Sequence, residues 1–174
     1  MKLDLARLGR ALNPKTVAVI GDSKSGNFEW LRAELSFKGK LYSVHVNPDT
    51  FADIKALGLT NYTSLLDIPE PVDLAVVAVS RKAALVVLDD CIRKGVAAAH
   101  FFTSGFSETR TEEGCQYEHA LVEKARSAGF PVIGPNCMGI FNPAAGIRQS
   151  EDQYTDHSGP VGFLAQSGSV AISF

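Results

Sequence analysis

A chain of 174 residues, 45% hydrophobic and 21% charged, carries apolar material for one good core and little more. A formal charge of -2 supplies no basic field, which argues against nucleic acid as the main partner, and no apolar run is long enough to cross a bilayer. The amino-terminal stretch lacks a signal-peptide core. The three cysteines have no motif spacing, which predicts reduced thiols in a cytoplasm rather than a disulfide framework.

Residues 3–12 predict a short helix with Leu3, Leu5, Leu8 and Leu12 on its apolar side, broken at Asn13-Pro14. Thr16–Ile20 is an unbroken apolar run that predicts a buried strand. It ends in Gly21, and the polar residues Asp22, Ser23, Lys24 and Ser25 lead to a second glycine, Gly26. Strand, tight turn and helix start, in that order, offer unpaired N–H groups and partial positive charge to a phosphate-type anion. Phe28, Leu31, Leu35 and Phe37 then form a helical stripe, with Trp30 and Ala33 beside it. A second strand is expected over Leu41–Val46, ended by the turn Asn47-Pro48-Asp49. Residues 51–57 read as a weak helix, Gly58 to Tyr62 as a linker, and Ser64 to Asp67 as a helical turn.

Val72–Val79 is the most apolar stretch, and its β-branched content predicts a strand buried on both faces. A helix from about Lys82 to Lys94 follows, stopped by Gly95, and then a strand over Ala97–Phe102. The loop Thr103–Glu108 leads to a helix from about Glu112 to Ala128, stopped by Gly129, and to a last strand, Pro131–Ile133. Strands and helices alternate five times, which predicts an α/β fold: a Rossmann-like, doubly wound parallel sheet with right-handed crossovers. Ligands of such sheets bind outside the carboxyl ends of the strands. The loops Gly21–Gly26, Asn47–Asp49, Val79–Arg81, Thr103–Ser107 and Gly134–Gly139 are therefore expected to face one crevice.

From Asn142 to Gly159 the pattern stops and reads as a linker or surface loop. Pro160–Gln166 predicts a new strand, and Ser167-Gly168-Ser169 a new helix. One strand and half a helix cannot bury themselves. The expectation is a piece cut from a longer protein, or one that completes itself with a partner.

The dinucleotide fingerprint G-x-G-x-x-G with an acid ending the second strand is incomplete here at two points. Position 23 is Ser, and the second strand ends in His45-Val46-Asn47 with Asp49 beyond a proline. An NAD(H)-binding domain of a dehydrogenase or redox sensor is one alternative, and a non-catalytic protein-docking or regulatory module is another. No His, Cys or carboxylate pair has metal-site spacing, and Ser23, Ser104 and Ser107 have no Ser-His-Asp context. Lys24 reads either as a solvated cation or as a phosphate contact. Arg81 stands at a helix start, where a cation is unfavourable, so it reads as a surface residue or as one with an anion partner. Cys137 has no base nearby in sequence and reads as a small buried hydrophobe rather than as the alternative, a reactive thiol. Cys91 is assigned to the core and Cys115 to the surface. His45 and His100 are expected to be structural, His119 exposed, and Glu108 to cap a helix or hold its own loop.

Several motifs stand in one order: Gly21-Asp22-Ser23-Lys24-Ser25-Gly26, Val46-Asn47-Pro48, Ser104-Gly105-Phe106-Ser107-Glu108 and Gly134-Pro135-Asn136-Cys137-Met138-Gly139. With Pro71–Val76 between them, they resemble the CoA-binding domain of NDP-forming acyl-CoA synthetases, relatives of the succinyl-CoA synthetase α subunit. The resemblance implies a CoA-binding domain over 1–141, a linker over 142–159, and the start of a flavodoxin-like domain over 160–174. By the same resemblance, Gly21, Ser23, Lys24, Ser25 and Gly26 hold the CoA phosphates. Asn47 and Pro48 lie beside the adenosine, Val79, Ser80 and Arg81 follow, Phe102, Thr103 and Ser104 line the coenzyme, and Asn136 and Cys137 stand nearest its thiol. Two departures accompany it: Asp49 where such domains often carry lysine, and Ser80 where they usually carry proline. The implied reaction joins an acid to CoA, or the reverse, through an acyl phosphate and a phosphohistidine. The phosphohistidine and ATP-grasp domains or subunit would be partners, a homo-oligomer is possible, and Ser167-Gly168-Ser169 matches the helix start that receives the phosphohistidine. His157 does not match that histidine. The expectation is a cytoplasmic fragment that binds coenzyme A as a substrate, holds no metal and is inactive alone.

Overall fold

A computed structural model describes residues 4–172. Six strands form one parallel sheet: β1 (Thr16–Ile20), β2 (Lys40–Val44), β3 (Thr60–Tyr62), β4 (Leu74–Val77), β5 (Ala98–Phe101) and β6 (Val132–Ile133). Their order across the sheet is β3-β2-β1-β4-β5-β6, so the winding reverses between β1 and β4. Both central strands are buried along their whole length. Because side chains alternate across a strand, Val17, Val19, Leu74 and Val76 enter one core, and Ala18, Ile20, Ala75 and Val77 the other. The first core is closed by Phe28, Trp30, Leu31 and Phe37 around helix α2 (Glu29–Ala33), and by Ile54 of α3 (Phe51–Ala56). The second is closed by α4 (Arg81–Lys94) through Ala84, Leu88 and Cys91, and by α5 (Glu112–Ser127) through Leu121 and Ala125.

Four expectations are corrected. The stretch Gly58–Tyr62 is not only a linker: its last three residues form β3 and pair with β2 from Tyr42 to Val44. Backbone hydrogen bonds define this edge strand, and no apolar pattern marks it. Helix α1 (Leu5–Leu12) does not dock by the whole predicted leucine stripe, for Leu5 is 72% and Leu12 41% exposed and Leu8 is only half-buried. It docks by Ala11 and two arginines. Arg7 donates to the carbonyls of Val96, Ala97 and Gly129, which a leucine could not satisfy, and Arg10 pairs with Asp73. Leu3 lies outside the described residues. Helix α2 tightens to 3-10 geometry over Glu34–Ser36, which breaks the predicted stripe and leaves Leu35 exposed. Finally, Pro160–Gln166 forms no strand; it runs exposed ahead of the short helix α6 (Gly168–Ile172). A strand is held by the ladder it shares with a neighbouring strand, and none of the six described strands lies alongside this segment.

The segment after β6 is uneven. Residues 142–149 pack on the domain: Asn142 bridges to Ile147, Ile147 is buried in the α2-side core, and Arg148 donates to the Ala33 carbonyl. Beyond Asp152 most residues are exposed.

Candidate functional site

Since all six strands are parallel, the loops leaving β1, β2, β4, β5 and β6 share one edge of the sheet. Contacts join them into a continuous rim. Between the first two loops, the His45 ring bonds the Asp22 carbonyl through Nε2 (2.9 Å), while Nδ1 accepts from the Asn47 amide (3.2 Å). That acceptance fixes the neutral Nε2–H tautomer, so Nε2 is the donor to Asp22. At the winding reversal, Gly21 sits at φ +88°, and a Cβ there would run into the side chain of Val79. Glycine is thus required for the β1 and β4 loops to meet. The Thr103 hydroxyl donates to the Val79 carbonyl (2.9 Å), Arg81 donates to the Gly105 carbonyl, and the Asn136 amide donates to the Thr103 carbonyl (3.0 Å). Glu108 holds its own loop by accepting from the amides of Gly105 and Phe106.

The glycine loop differs in detail from a helix-start phosphate cradle. Its helix is one turn long, and the Asp22 carboxylate accepts from the amides of Ser23 (2.7 Å) and Leu31 (2.8 Å). Burial raises the Asp22 pKa, and these backbone bonds oppose that rise. A helix-start donor, the Leu31 amide, is therefore already met by a carboxylate of this chain. What the loop offers instead is its exposed tip: Ser23, Lys24, Ser25 and Gly26 are all exposed, and the Ser23 and Ser25 hydroxyls bond each other at 2.7 Å. The Lys24 ammonium pairs with Asp53 (2.7 Å) and donates to the Asp49 carbonyl (3.3 Å), and the Asp53 carboxylate raises its pKa.

The other predicted residues divide between surface and frame. Asn47, Pro48, Ser80, Ser104 and Asn136 are exposed on the rim. Phe102 is half exposed and packs on Trp30, ring centroids 4.7 Å apart. Thr103 is buried with its hydroxyl spent on Val79. Arg81 has its anion partner within the chain, Glu113 at 2.7 Å, and lies over the Tyr117 ring. The Cys137 sulfur accepts from the Gly139 amide, and its carbonyl meets the buried His100 ring. Desolvation pushes His100 down to about 4, so it is a neutral buttress. Sequence reasoning overlooks Asp22 as an internal cap and Asp53 as the partner of Lys24, while the expected structural role of His45 is borne out by its bracing bonds. Only Asp22, an acid directly before the serine-rich turn, carries a local signal. A cavity of about 450 Å³ lies at the opposite edge of the sheet, beside Arg7, Arg10 and Phe130. Among the described residues no His, Cys, Asp and Glu group could hold a metal, and no helix is long and apolar enough to cross a membrane.

A parallel sheet wound 3-2-1-4-5-6, with a glycine turn at the reversal and a braced loop rim, defines a doubly wound nucleotide-binding domain. Residues 15–143 match the CoA binding domain family, and the chain belongs to it. It is 37% identical to the ADP-forming acetate–CoA ligase II of Archaeoglobus fulgidus over 89% of this chain and 23% of that protein. It is 36% identical to the α subunit of the ADP-forming acetate–CoA ligase I of Pyrococcus furiosus, over 92% of this chain and 36% of that subunit. The chain thus spans a quarter to a third of the length of these relatives. The solved dinucleotide-forming acetyl-coenzyme A synthetase 1 of Ca. Korarchaeum cryptofilum, in complex with phosphate and ADP, superposes with a TM-score of 0.80. There the identity is 35%, over 95% of this chain and 35% of that one.

Proposed function

We propose that this domain holds coenzyme A for an NDP-forming acyl-CoA synthetase. In this reading the pyrophosphate lies against the exposed tip Ser23–Gly26, the adenosine beside Asn47 and Pro48, and the pantetheine arm runs past Ser80 and Ser104 towards Asn136 and Cys137. The observation that carries it is the continuous rim, in which loops from five strands of a CoA-binding family member are tied edge to edge. The tip is chemically suited to an anion, because hydroxyls and a lysine on a turn are donors to phosphate oxygens. Asn142–Ile147 packs back on the α2-side core, so the binding domain extends to about residue 149 in this proposal. The acyl phosphate and phosphohistidine steps would fall to ATP-grasp and histidine-bearing domains or subunits acting in a cytoplasm. Ser167-Gly168-Ser169 would face the phosphohistidine, and the domain alone would turn nothing over.

Titration calorimetry with CoA tests the reading. Saturable binding is expected, and Gly21→Val, which forces the β1 and β4 loops apart, is expected to weaken it at least about tenfold. No heat from the wild-type domain would refute it.

A further inference from the structure

The corner where the first two loops meet bears on which ribose the site accepts. In a doubly wound sheet the ribose of a bound nucleotide lies at the carboxyl end of the second strand, beside the glycine turn. Among the described residues, the contacts at that corner bring together the cation Lys24 and the acids Asp49 and Asp53. The ammonium is committed to the Asp53 carboxylate at 2.7 Å and to the Asp49 carbonyl at 3.3 Å, and both acids act on it electrostatically. Asp49 is exposed, with its amide tied to the Asn47 side chain at 3.1 Å, so its position on the turn is set. His45 and Thr50 brace the same turn from below. Arg32, the next cation along the chain, donates to the Asn27 carbonyl at the far end of the loop.

From this charge count we propose that the site does not select the 3′-phosphate of coenzyme A. It reads the adenosine and the pyrophosphate, leaves the 3′ position to solvent, and takes dephospho-CoA as readily as CoA. Asp49 and Asp53 are the residues that set this. A phosphate dianion entering the corner meets two carboxylates for one ammonium, a net negative charge. Carboxylates there suit free ribose hydroxyls, which donate hydrogen bonds to them. The proposal rests on the CoA reading above and deepens it.

The test is calorimetry with CoA and dephospho-CoA on wild type, Asp49→Lys and Asp53→Asn, at low and high salt. Wild type is expected to prefer CoA by less than about fivefold, with the preference for CoA rising as salt screens the acids. Asp49→Lys reverses a charge and is expected to shift the ratio towards CoA by about tenfold; Asp53→Asn frees Lys24 and shifts it less, in the same direction. A wild-type preference for CoA above about fivefold, or one that falls with salt as a gripped phosphate would, overturns the inference while leaving the CoA reading intact. Silence with both ligands overturns both.

Discussion

The two edges of the sheet use the same residue types to opposite ends. At the base, Asp73 is 8% exposed and spends its carboxylate on Arg10 and on the amides of Lys15 and Thr16, while Arg7 satisfies three carbonyls. Polar groups there pair within the frame. On the rim and along the flank that descends from it through α2, pairing is looser. In the ion pairs Lys24–Asp53 and Arg81–Glu113 the acid is exposed, whereas in Arg10–Asp73 at the base the acid is nearly buried. Trp30 Nε1, Glu34 Oε2 and Gln149 Oε1 are buried with no hydrogen-bond partner among the described residues. Exposed ion pairs contribute little to stability and exchange readily, whereas buried unpaired polar atoms cost folding energy. The base is therefore held more firmly than the rim side.

The largest effect that would sharpen this contrast lies at Glu34, 2% exposed, whose carboxyl burial pushes up to about 8 against the opposing charge of Arg148. Folded protein keeps that proton to about pH 8, and unfolded chain releases it near 4.5. The folded state thus binds more protons across the window, so stability falls as pH rises from about 4.5 to about 8. Glu34→Gln is expected to flatten this slope and to gain on the order of 3 kcal/mol at about pH 8, with nothing at about pH 4, by urea unfolding against pH. An unchanged slope would break the contrast.

At the base, Asp73→Ala strands two strand-start amides and Arg10. It is expected to cost about 2 kcal/mol in thermal unfolding while CoA affinity, measured well below the melting temperature, stays within about twofold. A large loss of affinity would mean the edges are coupled. The smallest effect is expected at the rim, where His45→Ala removes the brace between the first two loops. Stability falls by about 1 kcal/mol and CoA affinity by about fivefold, the reverse weighting to Asp73→Ala.

Legibility in the sequence differs by element. Thr16–Ile20 is predicted to the residue and Ala98–Phe101 to within one, because a strand buried on both faces is a continuous apolar run bounded by turn residues. The glycine stops of α4 and α5 are equally plain, since Gly95 and Gly129 both take positive φ. Strand β3 escapes prediction because Thr60-Asn61-Tyr62 has no pattern of its own and becomes a strand only beside β2. Helix α1 misleads because leucines at helical spacing outweigh arginines whose carbonyl partners lie about 90 residues away.

The amino-acid sequence by itself determined the alternation of strand and helix, the parallel sheet and the five loops at its carboxyl edge, since apolar period and glycine placement are local properties. The tertiary structure alone decided how charges pair across that edge: Lys24 with Asp53, Arg81 with Glu113, and Asp22 with the Leu31 amide. The physical reason is that an ion pair or a buried hydrogen bond depends on distance in space, and these partners lie between 9 and 32 positions apart along the chain.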